Sequence, residues 1–140
     1  MKTRVIITAA VAVMLIPAFS MAGDVVIIGN STLPTSTISK KEIIRIFLGK
    51  KIVWDDKTKI VITLRKNSDT HRAFLKEYIH KSPTQFAGIW KRRIFTGMGL
   101  SPKTFDSDKE TVKYVRETKG AVGYVSTGTS LDDVKTINIK

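Results

Sequence analysis

The chain sets 24 Lys and Arg against 12 Asp and Glu, a formal charge of +12, in 140 residues of which 42% are hydrophobic. That length suits one domain, and the apolar share beside 26% charged residues excludes a disordered polyelectrolyte. Cys is absent, which removes disulfides, thiolate chemistry and Cys-based metal centres, and two His residues cannot build a three-His site, so no metal or cofactor is expected.

The first residues read as an export signal. Lys2 and Arg4 form a positive head, Val5 to Ile16 is an apolar run, and Ser20-Met21-Ala22 places small residues where a signal peptidase cuts. A membrane anchor is the competing reading, but the run is too short to span a bilayer. The expected organisation is a signal peptide over 1–22 and one domain over 23–140, without a membrane span once the signal is removed. Losing 22 residues, Lys2 and Arg4 among them, leaves 118 residues at a formal charge of +10. A basic exported domain without a lipid anchor fits a periplasm.

Val25-Val26-Ile27-Ile28 predicts a strand covered on both faces. Ser39-Lys40-Lys41-Glu42 predicts a capping box, with the Ser hydroxyl and the Glu carboxylate each taking a free amide. Ile43, Ile44, Phe47 and Leu48 then form a helical stripe that Gly49 ends. Ile60 to Leu64 reads as a second strand, and a helix starting between Ser68 and Thr70 carries Phe74, Leu75, Tyr78 and Ile79 on one face. Ser82-Pro83-Thr84-Gln85 starts another helix, with Phe86, Trp90 and Ile94 four apart behind it. Ser107-Asp108-Lys109-Glu110 opens a further helix that stops at Gly120, and Ala121 to Val125 and Ile137 to Ile139 read as short strands. Strands alternating with helices imply an α/β fold, a central mostly parallel sheet flanked by helices.

Ligands of such sheets lie outside the carboxyl ends of the strands. Strand Ile60 to Leu64 runs into Arg65-Lys66-Asn67-Ser68-Asp69-Thr70, where a helix begins. A helix start offers unpaired amides and a positive dipole end, Ser68 and Thr70 add hydroxyls, and Arg65 and Arg72 add guanidinium groups, so an oxyanion could be held there. The competing reading is plain helix capping by Ser68 or Asp69 with solvated arginines, and Asp69 would repel an anion.

Other motifs carry less. Asp106, Asp108 and Glu110 alternate as in a calcium loop but lack its Gly and closing Glu, so they read as a solvated helix start. Lys91-Arg92-Arg93 lies opposite the Phe86 stripe and reads as a solvated face, and nucleic acid is not an expected partner. Trp54 and Trp90 read as core, and His71 as incidental. With no nucleophile elbow, phosphate-cradling loop or metal-spaced His pair, nothing supports an enzyme.

Several segments together resemble a family. Glu42-Ile43-Ile44-Arg45-Ile46-Phe47-Leu48-Gly49-Lys50 with Trp54-Asp55-Asp56, then Trp90 to Gly97, then Gly120-Ala121-Val122-Gly123-Tyr124-Val125 are similar, in order, to blocks of the phosphate-binding components of ABC transporters, especially their short single-lobe relatives. The resemblance implies a single lobe of a type 2 periplasmic binding protein. It also implies that Arg65, Ser68 and Thr70 match part of the family's phosphate loop, although one residue is missing between the Arg and the Ser and Asp69 stands where the family has Gly. On this reading the chain binds phosphate or a related oxyanion at Arg65, Ser68, Thr70 and Arg72. An ABC permease or a second copy of the chain would be its protein partner. The alternative reading is an interaction module of the cell envelope that keeps the fold and docks its basic face on an acidic partner.

Overall fold

The computed structural model describes residues 25–97 and 101–140, so the expected signal peptide and its cleavage point lie outside the described residues. In chain order the elements are β1 (Val25–Asn30), β2 (Thr37–Ile38), α1 (Lys40–Phe47), β3 (Val61–Arg65), α2 (Asp69–Phe74), α3 (Pro83–Phe95), β4 (Lys103–Phe105), α4 (Asp108–Glu117), β5 (Ala121–Ser126), β6 (Val134–Thr136) and β7 (Asn138–Ile139). Among the described residues the main sheet has the order β4-β3-β5-β1-β6, and β2 pairs with β7 in a separate two-stranded ribbon.

Strand β3 is parallel to β4 and to β5, while β1 is antiparallel to both of its neighbours, β5 and β6. Four of the five strands therefore run one way and β1 alone opposes them, as the mostly parallel expectation requires. The carboxyl ends of β3, β4 and β5 share one edge of the sheet, so Arg65, Phe105 and Ser126 end there together.

The pleat assigns each strand's side chains to two faces. On one face Ile27, Ile62, Val122 and Tyr124 pack with Phe47 of α1, Phe74 of α2, and Phe86 and Trp90 of α3. On the other, Ile28, Ala121 and Val125 pack with Val112 and Val115 of α4. Gly123 faces α4 as well, and a Cβ there would meet the Thr63 hydroxyl at 1.9 Å, so only glycine fits beneath that helix.

Both Trp residues are core, as expected. Trp54 Nε1 donates to the Gly120 carbonyl at 3.0 Å and Trp90 Nε1 to the Phe47 carbonyl at 2.9 Å, so each buried indole N–H is satisfied. The start signals also hold. Ser39, Ser68, Ser82 and Ser107 each cap a helix by accepting a backbone N–H, and Ser82 with Gln85 completes a full capping box.

Three local expectations need correction. The Glu42 carboxylate pairs with Lys51 instead of closing the box at Ser39. Helix α2 widens into a π turn over Leu75–Ile79, with the His80 N–H donating to the Leu75 carbonyl and His80 itself left-handed (φ 59°). Leu75 and Ile79 both stay buried, as their four-residue spacing requires. Finally, Ile94 is 46% and Phe95 91% exposed, so the α3 stripe leaves the core after Trp90.

Candidate functional site

The site is built where neighbouring parallel strands send their helices to opposite faces. Strand β3 leads into α2 on the Phe74 face, while its neighbour β4 leads into α4 on the other. That divergence leaves a crevice at the carboxyl edge, the usual ligand position in open α/β sheets.

The expected site residues do not converge as four free donors. Val61, Thr63 and Arg65 alternate onto the α4 face, so the Arg65 side chain extends away from α2. Its Nη1 donates to the Asp108 carboxylate at the start of α4, and its Nη2 donates to the Asp106 carbonyl at 2.9 Å. The Arg65 side chain is only 10% exposed, and its Nε is buried with no hydrogen-bond partner. Ser68 caps α2 by accepting the His71 N–H at 3.2 Å, and Thr70 is half-buried in the first turn. Arg72, half-exposed, pairs with Asp69 and donates to Asn67 at 3.0 Å. Ser68 and Thr70 thus stay at the expected turn, and both arginines already hold a carboxylate of the chain.

Asp108 is the residue that sequence reasoning missed. Besides Arg65, its carboxylate accepts from the Ser126 hydroxyl at the end of β5 and from the Thr129 hydroxyl at 3.3 Å. It is also the first residue of α4, where free amides and the positive dipole end favour a negative charge. The acidic helix start expected to be solvated is therefore a bound anion at its first carboxylate. The alternation of Val61, Thr63 and Arg65 carried the signal, but only the parallel pairing of β3 with β4 brings Asp108 within reach.

His71 is not incidental. It is 8% exposed and its Nδ1 meets the Tyr124 hydroxyl, which also accepts the Arg65 N–H at 3.0 Å. The buried phenol has one hydrogen and His71 Nδ1 is the acceptor within its reach, so a neutral imidazole with its proton on Nε2 is the tautomer that satisfies the pair. Burial, and then the charge of Arg72, lower the affinity of His71 for a second proton. Burial likewise raises the Tyr124 phenol.

A pH dependence follows. The unfolded chain binds the His71 proton more readily than the folded one, so stability is full above the ordinary imidazole value of 6.5. It falls as pH drops through that value toward the lower native one. In a melting series from about pH 7.5 to 5, wild type should lose more melting temperature than His71→Gln. Equal slopes for the two proteins would reject this assignment.

In front of this network, between the β3–α2 turn and α3, runs a groove of about 900 Å³. Leu64, Phe86, Trp90 and Ile94 form its apolar wall, and Lys66, Asn67 and Lys91 stand among its polar lining.

The sequence model of the PBP superfamily domain matches residues 18–138. The chain belongs to the PBP superfamily. No curated protein matches the sequence. Among solved structures the fold is similar to a protein described as a phosphate ABC transporter substrate-binding protein, with bound phosphate, from Clostridium perfringens (TM-score 0.66, 19% identity, 83% of this chain and 44% of that one). It is also similar to an ABC-type phosphate transport receptor from Vibrio cholerae (TM-score 0.62, 18% identity, 83% and 46%). A third likeness is to PstS from Borrelia burgdorferi (TM-score 0.66, 13% identity, 84% and 47%). This PBP-superfamily chain spans less than half the length of each of those proteins. At these identities the likeness is one of fold. Among the described residues no helix is long and apolar enough to cross a membrane.

Proposed function

We propose that this chain is a non-catalytic, periplasmic solute-binding lobe that takes phosphate or a related oxyanion at the carboxyl edge of its sheet, and that residues 1–22 are the signal that exports it. The observation that carries this reading is the position of Arg65 and the Ser68–Thr70 turn at the crevice where β3 and β4 part company. Ser68 and Thr70 supply the hydroxyls, Arg65 and Arg72 the charge. Family membership and phosphate receptors of like fold support the ligand class. Because Arg65 holds Asp108, the ligand must either share that guanidinium or displace the carboxylate, and displacement subtracts from affinity. Weak binding follows, in the millimolar-to-micromolar range of about 4 to 8 kcal/mol. A permease or a second copy of the chain is the protein partner of this reading.

Thermal melts at low salt provide the test, since a ligand that prefers the native state raises its melting temperature. Millimolar phosphate and arsenate should raise it, chloride at equal ionic strength should not, and Ser68→Ala should weaken the response. A flat response to phosphate, with no heat in a titration, rejects the reading.

The second reading, an envelope interaction module that docks a basic face on an acidic partner, is favoured by the internal pairing of both Arg65 and Arg72. Retention on an anionic matrix that is lost on neutralising Lys91, Arg92 and Arg93, without any phosphate response, selects it.

A further inference from the structure

The groove beside the oxyanion turn narrows the ligand class, an inference that rests on the solute-binding reading. The groove and the turn are continuous, because Arg65, Lys66 and Asn67 belong to both. Bare phosphate is fully hydrated and would gain nothing from the groove's apolar side, where Leu64 and Ile94 are partly exposed and the largely buried Phe86 and Trp90 reach its surface. The volume of about 900 Å³ exceeds what one tetrahedral oxyanion fills and suits a small organic molecule.

Charge fixes the sign of the occupant. Lys66 and Lys91 bring positive charge to the groove, the Arg65 guanidinium being turned to Asp108, and its lining contains no Asp or Glu. Lys66 does pair with Asp106 at 3.0 Å, but both side chains are more than half exposed, so solvent screens that pair and leaves Lys66 able to exchange partners. Neutral His71 also borders the groove, and with its Nδ1 accepting from Tyr124 its Nε2–H is a donor. Phe95, 91% exposed, stands at the rim. A second copy of this chain, bringing the same lysines to face one another, is disfavoured by the same charges.

We infer that the ligand is an organic oxyanion, a phosphate or phosphonate head at the β3–α2 turn carrying an aryl or short alkyl body that lies along the Phe86–Trp90–Ile94 wall. Among the groove's lining, Lys66, Lys91, the Asn67 amide and the His71 Nε2–H hold the head, and apolar burial and ring contact hold the body.

Calorimetric titration with phenyl phosphate, inorganic phosphate and benzyltrimethylammonium tests it. Phenyl phosphate should bind at least about tenfold more tightly than inorganic phosphate, since a buried ring adds apolar area. The cation should not bind. Ala87→Trp, at an exposed position on the groove wall, should remove the tenfold advantage and leave the inorganic phosphate affinity unchanged. Equal affinity for the two phosphates overturns the inference while the solute-binding reading stands. So does an advantage that survives Ala87→Trp, or binding of the cation as tight as that of phenyl phosphate. A dimer in light scattering that Ala87→Trp dissociates assigns the groove to a second copy and overturns it as well. Absence of binding by both phosphates rejects the inference and the solute-binding reading together.

Discussion

Arg65→Ala is expected to lower stability by about 3 kcal/mol and to abolish the response to phosphate. The stability loss follows from what is left behind. Removing the guanidinium strands the Asp108 carboxylate, 20% exposed, beside the carboxyl edge of the sheet, with two hydroxyls and a helix end for company but no counter-charge. Breaking one side of a largely buried pair costs more than the pair is worth intact, because the surviving ion keeps its desolvation penalty. The control is Asp108→Asn, which keeps the shape, leaves Arg65 free of its internal anion, and should strengthen phosphate binding while stability falls by less. Denaturant titrations of the two single variants and the double variant measure the coupling directly. A coupling below about 0.5 kcal/mol would mean that Arg65 and Asp108 act independently.

Phe74→Ala should cost about 3–5 kcal/mol, among the largest effects available to a single core truncation in this chain. Phe74 is fully buried, stacks on Tyr124 with ring centroids 3.9 Å apart, and meets Phe47 edge-on at 4.7 Å. Its loss leaves a cavity under α2 and removes ring contacts with Tyr124, Phe47 and Tyr78 besides the transfer energy of the ring. The effect should reach the site, because Tyr124 carries the hydroxyl that orders His71 and the Arg65 backbone. Equilibrium unfolding measures the loss, and Phe74→Leu, which refills most of the space, should recover more than half of it. A loss under about 1 kcal/mol would place Phe74 outside the cooperative core.

What the sequence announced were features determined within a few residues. Ser39, Ser68, Ser82 and Ser107 begin helices because a hydroxyl before a run of free amides is a local solution, and each was legible without knowing the fold. The strand at Ala121 and the helix at Pro83 were visible for the same kind of reason: an apolar run and a proline that needs no donor. The turn carrying Ser68 and Thr70 was found by rule, from a strand running into a helix start.

The chemistry of that turn was only half visible. The period of two placed Arg65 on the Thr63 side of its strand, yet which helix covers that side depends on the β3–β4 pairing, set 38 to 40 residues away. Asp108 therefore read as one more acidic residue at a helix start. His71 looked solitary for the same reason, since its partner Tyr124 is 53 positions distant. Ile94 failed differently: the four-residue spacing that buries Phe86 and Trp90 continues for a turn beyond the core, and periodicity cannot say where a helix outruns its support. The π turn at Leu75 is likewise something that no local preference demands.

The lone reversed strand sets the order in which the molecule can assemble. β1, from the amino-terminal end of the described chain, lies between β5 and β6 from its last twenty residues, with Val25 opposite Ser126 and Ile28 opposite Thr136. Closing those loops costs chain entropy before any contact repays it, so such long-range pairing folds slowly compared with local hairpins or helix pairs. Until the carboxyl-terminal strands are free to pair, β1 has unmet amides and carbonyls along both sides and the halves of the core stay open to water. A chain still being synthesised is thereby kept from locking prematurely.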